Sequence, residues 1–338
     1  MTSSRAGLGL LSLVPLAAFL AGGCGNYSNE DLEYMNALPE SSDVRVNIPS
    51  VTGAVELANE AELARATHNT TRGLNGLATA LVDIVDYVRS FPPTARTASS
   101  RIWGPFPADK TKMKNLDWET RMIVSRDDTV MDQLDYEIAV HHDGAPDTDW
   151  PVLIGGWFKA GHTARRGVGH VELITAAGRA EGLDVSDLGM LDHLEIDYDT
   201  LDEPISITMS VTNLPDPTST SPPAKLTYSY FANAAGQGQM TFDLFANIPG
   251  TGPAIEDMRI FSQWLGTGEG RATLTIVSGD GMGLRQVECW GPSFAPTFND
   301  KPWMTGEDVP GNPPGDPAAF CPNISDLSVV TAPPGPSH

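Results

Sequence analysis

The chain has 338 residues, 41% hydrophobic and 19% charged, enough for one large domain or two ordinary ones. Its formal charge of −22, from 21 basic and 43 acidic residues, repels phosphate backbones and excludes an electrostatic nucleic-acid binder. The 33 glycines and 27 prolines call for many turns but fall short of a disordered or collagen-like composition.

Residues 1–23 carry one charge, Arg5, ahead of an apolar run from Leu8 to Leu20 and the small residues Ala21-Gly22-Gly23. This is the pattern of a secretory leader. The run is shorter than the roughly 20 residues that cross a bilayer as a helix, and Pro15 interrupts it. The segment Leu20-Ala-Gly-Gly-Cys24 resembles the lipobox of bacterial lipoproteins. That resemblance implies cleavage before Cys24, a diacylglycerol on its thiol and an acylated new amino terminus. Gly25 stands where the family's inner-membrane retention signal has Asp, which implies an outer-membrane destination. Three acyl chains exceed the two signals that stable anchoring needs, so the implied partner is a membrane. Residues 24–42 are polar and acidic and read as a lipidated tether.

Val44, Val46 and Ile48 alternate with Asp43, Arg45 and Asn47, which predicts a short strand closed by Pro49. Ala54 to Ala66 are good helix formers, and His68-Asn-Thr-Thr71 predicts a break or bend after them. A second helix is clearer. Leu74, Leu77, Leu81, Ile84, Val85 and Val88 recur at three- and four-residue steps, so one face is apolar, and Pro92-Pro93 ends the run. Beyond residue 100 the period becomes two. Trp118 to Val124, Leu134 to Val140, Leu194 to Tyr198 and Ile205 to Val211 alternate apolar with polar side chains, giving one buried and one wet face. Antiparallel sheets allow this and buried parallel sheets do not.

A weak repeat follows the same parity. Gly167 and Gly169 lead into Val171 and Leu173, Gly236 and Gly238 into Met240 and Phe242, and Gly268 and Gly270 into Ala272 and Leu274. Each pair follows an expected strand: Leu153 to Lys159, Leu226 to Phe231 and Met258 to Leu265. Three hairpins are expected, with second strands that bend at the glycines and curl the sheet. The run Gly266-x-Gly-x-Gly270 is no nucleotide loop, because a phosphate-binding glycine loop opens a helix and this one opens a strand. Once Cys24 is assigned to lipid, Cys289 and Cys321 remain, and in an exported protein this pair is expected to be a disulfide. Cys289-Trp290 should end the last strand, and the proline-dense tail 301–338 should wander beyond the staple.

Signals for chemistry are weak. His141, His142 and Asp143 adjoin one another, and His141 and Asp143 would share a strand face, which permits zinc or copper; no H-E-x-x-H or H-x-H spacing supports it. Glu195, Asp197 and Asp199 with Asp202-Glu203 offer calcium ligands without a D-x-D-x-D-G loop, and read as a solvated sheet face. No G-x-S-x-G elbow, phosphate loop or spare cysteine is present. No catalytic residue, metal ligand or cofactor is assigned, and the sites are lipidation at Cys24 and the disulfide Cys289 with Cys321.

The expected fold is mainly β, in the α+β sense: residues 43–300 form a strongly curved antiparallel sheet or unclosed barrel of about ten strands with one or two N-terminal helices. Helices first and a meandering sheet afterwards resemble the unclosed barrels of periplasmic lipoprotein carriers. Trp264, Gly266, Gly268, Gly270, Arg271 and Glu288-Cys-Trp290 resemble uncharacterised acidic outer-membrane lipoproteins of myxobacteria, a likeness that implies no activity. The leading expectation is a lipid-anchored, noncatalytic envelope protein with a binding or structural role. The alternatives are a carrier of an apolar ligand in the concave sheet and a metal-dependent hydrolase using His141, His142 and Asp143.

Overall fold

The computed structural model describes residues 27–49, 60–107, 118–142, 150–180, 182, 191–212, 226–248, 251–303 and 317–328. Cys24 and Asp143 lie outside them. No helix among the described residues is long and apolar enough to cross a membrane.

Among the described residues three helices precede the sheet: α1 (Asn29–Asn36), α2 (Ser41–Val44) and α3 (Glu62–Arg89). The first strands are β1 (Ala95–Arg96), β2 (Ser100–Pro107), β3 (Trp118–Arg126), β4 (Gln133–His142), β5 (Val152–Thr163) and β6 (Arg166–Ile174). A short helix, α4 (Thr175–Ala180), leads to β7 (His193–Asp199), β8 (Ile205–Thr212), β9 (Leu226–Ala232) and β10 (Gly238–Ala246). The meander ends with β11 (Glu256–Trp264), β12 (Gly270–Ser278), β13 (Arg285–Trp290) and β14 (Pro296–Asp300). Each strand pairs with its neighbours in sequence, and the fourteen form one antiparallel sheet that does not close into a barrel.

Strand alternation fixes what faces inward. One row of paired positions runs Val171, Ile196, Met209, Tyr228, Phe242, Ile260 and Leu274 across β6 to β12. Against this face lies α3, whose Leu74, Ala78, Leu81, Val85 and Val88 are buried. Fully burying a Leu or Val contributes about 1.5–3 kcal/mol, so this stripe holds the helix where its propensity alone would not. The helix touches β2 and β3 as well as β11, β12 and β13, so the sheet wraps around it. Its ends reach opposite ends of the strand order: Glu62 pairs with Lys301 just beyond β14, and the Tyr87 hydroxyl donates to the Pro107 carbonyl at the end of β2.

The three glycine hairpins are present as β5–β6, β9–β10 and β11–β12. Gly238 pairs with Trp264, Trp264 with Gly270, and Gly270 with Trp290, so glycine and tryptophan alternate across four strands. A Cβ at Gly238 would sit 2.6 Å from the Trp264 ring, and one at Gly270 2.5 Å from the Trp290 ring. The bare backbone is the floor on which each indole lies, as aromatic residues do over strand glycines. The first glycines of the second and third units serve differently: Gly236 and Gly268 are in the hairpin turns with φ of +78° and +95°.

Several expectations need correction. Residues 43–49 form no strand; α2 takes Ser41–Val44, and an extended segment follows with Val44 and Val46 buried. The Asn75 amide on α3 accepts from the Val46 N–H at 2.9 Å and donates to its carbonyl at 2.8 Å, supplying what a partner strand would. The break at His68–Thr71 is absent, and α3 runs through it. Thr67 and Thr71 point into the sheet, where the Thr67 hydroxyl meets the Leu63 carbonyl and Ser262 Oγ at 2.8 and 2.6 Å. The described part of the expected tether, from Tyr27, is folded: Ser28 and Asp31 form a capping box for α1, and Tyr34 and Leu38 are buried. Among the described residues strands begin at Ala95 and continue past Trp290 to Asp300, fourteen in place of about ten. Part of the tail is also ordered, since residues 317–328 lie along the outer face of the sheet.

Candidate functional site

The Cys289–Cys321 disulfide is formed and joins the outer face of β13 to the segment that follows a 3-10 turn at Pro317–Ala319. From there residues 324–327 are held as a strap across β10 to β12. Gln239, Gln263 and Arg271 project outward from three adjacent strands. Arg271 donates to the Ile324 carbonyl at 3.3 Å and to Gln263 Oε1 at 2.8 Å. The Gln239 amide donates to Asp326 Oδ1 at 2.8 Å and accepts from the Leu327 N–H at 2.8 Å. The Ser328 hydroxyl, the Gln239 amide and the Ser328 backbone N–H donate to Asp326 and hold its carboxyl below its ordinary range.

Between the strap and the sheet lies a cavity of about 660 Å³. Phe261 and Val287 give it an apolar wall, Pro317, Cys321, Pro322 and Asn323 form its strap side, and Arg271, Arg285, Gln263 and Thr273 supply donors. Among the described residues no carboxylate lines it. Arg271 and Arg285 are the cationic side chains of its lining, and Arg271 also interacts with the Asp326 carboxyl of the strap. The Arg285 guanidinium is exposed and donates to Thr273 Oγ1 at 3.4 Å. Such a lining can take a carboxylate or phosphate on arginine with an apolar body against Phe261 and Val287. A second cavity, of about 380 Å³, lies between α1 and the β5–β6 turn, lined by Glu33, Arg126, Phe158 and His162 among others. Neither cavity is in the concave face, where α3 packs.

The histidines are not brought together as a chelate. His141 faces outward, its ring stacked on Trp150 with centroids 4.7 Å apart, while His142, the next residue, meets the edge of Trp118 on the inner side. The acidic face of β7 is paired with other histidines. His170 on β6 binds Asp197 at 2.8 Å, and His193 binds Glu172 at 3.2 Å and approaches Glu195 at 3.7 Å. The hydrogen bond to Asp197 raises the His170 pKa. Among the described residues no three His, Cys, Asp or Glu side chains converge at metal-ligand spacing.

Two buried charge clusters escaped the sequence reading. Asp31, fully buried in α1, receives the Arg101 Nε at 2.7 Å and the Arg96 Nε at 3.1 Å. Burial alone would raise its pKa; the two guanidinium groups and Ser28 outweigh that and lower it. Glu288 faces inward from β13, 1% exposed, and its carboxylate accepts the Glu62 and Leu63 backbone N–H groups at 2.9 and 2.5 Å. These are free donors at the start of α3, so Glu288 caps that helix from across the sheet. Burial pushes its pKa up to about 7 in spite of them.

No protein-family model, curated protein or solved structure matches the chain.

Proposed function

We propose that this chain is an exported protein anchored in the outer membrane by lipid on Cys24, and that it binds an envelope component in the strapped groove without catalysing a reaction. The observation that carries this reading is the strap, closed by the Cys289–Cys321 bond over the groove. A structural disulfide belongs to an oxidising compartment, in keeping with the leader. The ligand class that suits the groove is a molecule with an acidic group and an apolar portion, met by Arg285 and by Phe261 with Val287. Packing of α3 on the concave face makes the outer groove a better-supported location for a ligand than the sheet interior.

Intact mass spectrometry of detergent-extracted protein tests the proposal. The expected product starts at Cys24, carries the mass of three acyl chains, lacks the two hydrogens of a Cys289–Cys321 dithiol, and under native conditions retains an acidic ligand that Arg285→Glu releases. An unprocessed chain beginning at Met1 in the soluble fraction overturns the anchor and the location together.

A further inference from the structure

The fold begins almost at the proposed anchor. Ser28 is already the N-cap of α1, and the Tyr27 hydroxyl donates to the Arg89 carbonyl at the end of α3, at 3.4 Å. Only three residue steps separate Cys24 from Tyr27, and a fully extended chain covers at most about 11 Å over them. A lipidated Cys24 sits at headgroup level, so the surface around Tyr27 has no room to stand away from the bilayer.

That surface is aromatic. Phe91, two residues beyond the Tyr27 contact, stacks on Phe106 with centroids 4.4 Å apart and meets Tyr87 edge-on at 5.5 Å. Tyr27, Phe91 and Phe106 are half-buried, and Pro92, Pro105 and Pro107 beside them are exposed. Aromatic rings with an apolar body and a wet rim are the side chains favoured at the membrane–water interface.

We propose that the domain rests directly on the bilayer surface through the patch formed by Tyr27, Phe91, Pro92 and Phe106, in place of hanging from a tether. This rests on lipidation of Cys24. The test is hydroxyl-radical footprinting of the acylated protein in phosphatidylethanolamine and phosphatidylglycerol vesicles, against the non-acylated chain starting at Gly25 in solution. Phe245 at the end of β10 and Met282 between β12 and β13, 45% and 74% exposed, are internal controls. Oxidation of Tyr27, Phe91 and Phe106 should fall at least threefold on the vesicles while the controls hold their rates. Equal rates at the three rings in protein whose Cys24 carries acyl mass would overturn the docking alone, as would protection of Phe245 and Met282 instead. Absence of acyl mass from vesicle-bound protein would remove the anchor and the docking with it.

Discussion

Replacing Glu288 by Gln tests whether one carboxyl group fastens the central helix to the sheet. The residue is 1% exposed, and its two oxygens accept the Glu62 and Leu63 N–H groups while Asn299 donates from the side at 3.3 Å. Burial raises its pKa from 4.5 to about 7, against the pull of the backbone donors and Lys301. A carboxyl whose pKa is higher folded than unfolded contributes stability that is fully present below the unfolded value and is lost as pH rises through the folded one. At 1.36 kcal/mol per unit, the shift from 4.5 to about 7 corresponds to about 3 kcal/mol lost between those pH values. Gln cannot ionise, and its NH₂ group faces one backbone donor, leaving that donor unsatisfied at a cost of about 1–3 kcal/mol. Glu288→Gln should therefore destabilise most at pH 5 and progressively less toward pH 8. Urea unfolding at pH 5, 6, 7 and 8 without reductant measures the difference. A gap between wild type and variant that stays constant within about 0.5 kcal/mol, or widens with pH, refutes the argument that desolvation dominates at this site.

Other perturbations probe the remaining contacts. Gly270→Ala places a Cβ 2.5 Å from both the Trp290 ring and the Gln263 carbonyl and should cost about 1–3 kcal/mol, whereas Gly73→Ala on the open face of α3, with nothing within 4 Å, should stabilise by about 0.5–1 kcal/mol; thermal melting compares them. Cys321→Ser opens a crosslink of sequence separation 32 and should lower unfolding free energy by about 3–4 kcal/mol, with limited proteolysis showing the strap cut first. Asp31→Asn leaves the buried Arg101 with only the half-exposed Glu30 as its ion-pair partner and should cost about 1.5–3 kcal/mol by denaturant unfolding at pH 7. An NMR titration should give His170 a pKa above 6.5, restored by Asp197→Asn; because Asp197 is 64% exposed, the pair stabilises only modestly below the unfolded pKa, and that contribution fades as pH rises through the folded value.

The period-two stretches placed β3, β4, β7 and β8, and the glycine repeat placed three hairpins, because strand parity is written directly into residue order. What depended on a distant partner was illegible. Val46 looks like a strand residue, yet its backbone is met by an asparagine 29 residues later. Thr67 and Thr71 look like helix breakers until Ser262 and Met240 are placed beside them. In β2, Pro105 and Pro107 concealed a strand whose register breaks between Trp103 and Phe106 and resumes with Phe106 and Pro107 opposite Thr120 and Glu119. The strap was hidden for the same reason: its hydrogen bonds reach 53 to 88 positions back. Glu288 had one available signal. Gly270 lies opposite Trp290, which fixes the parity of β13 and turns Glu288 toward the helix although Val287 and Cys289 are the less polar neighbours.

Because each strand lies beside its neighbour in the chain, the sheet can zip together through short-range steps with little loop entropy to overcome. The long helix is the exception. It emerges before any strand, yet its first turn waits for a carboxylate 226 positions downstream and its hydroxyls for a serine 195 away. A chain interrupted before the last few strands would present a greasy helix with no cover and two stranded backbone donors. Completion of the carboxyl-terminal quarter is thus what turns a growing ribbon into a finished molecule, and nonsense changes there should yield aggregates in preference to shortened working domains.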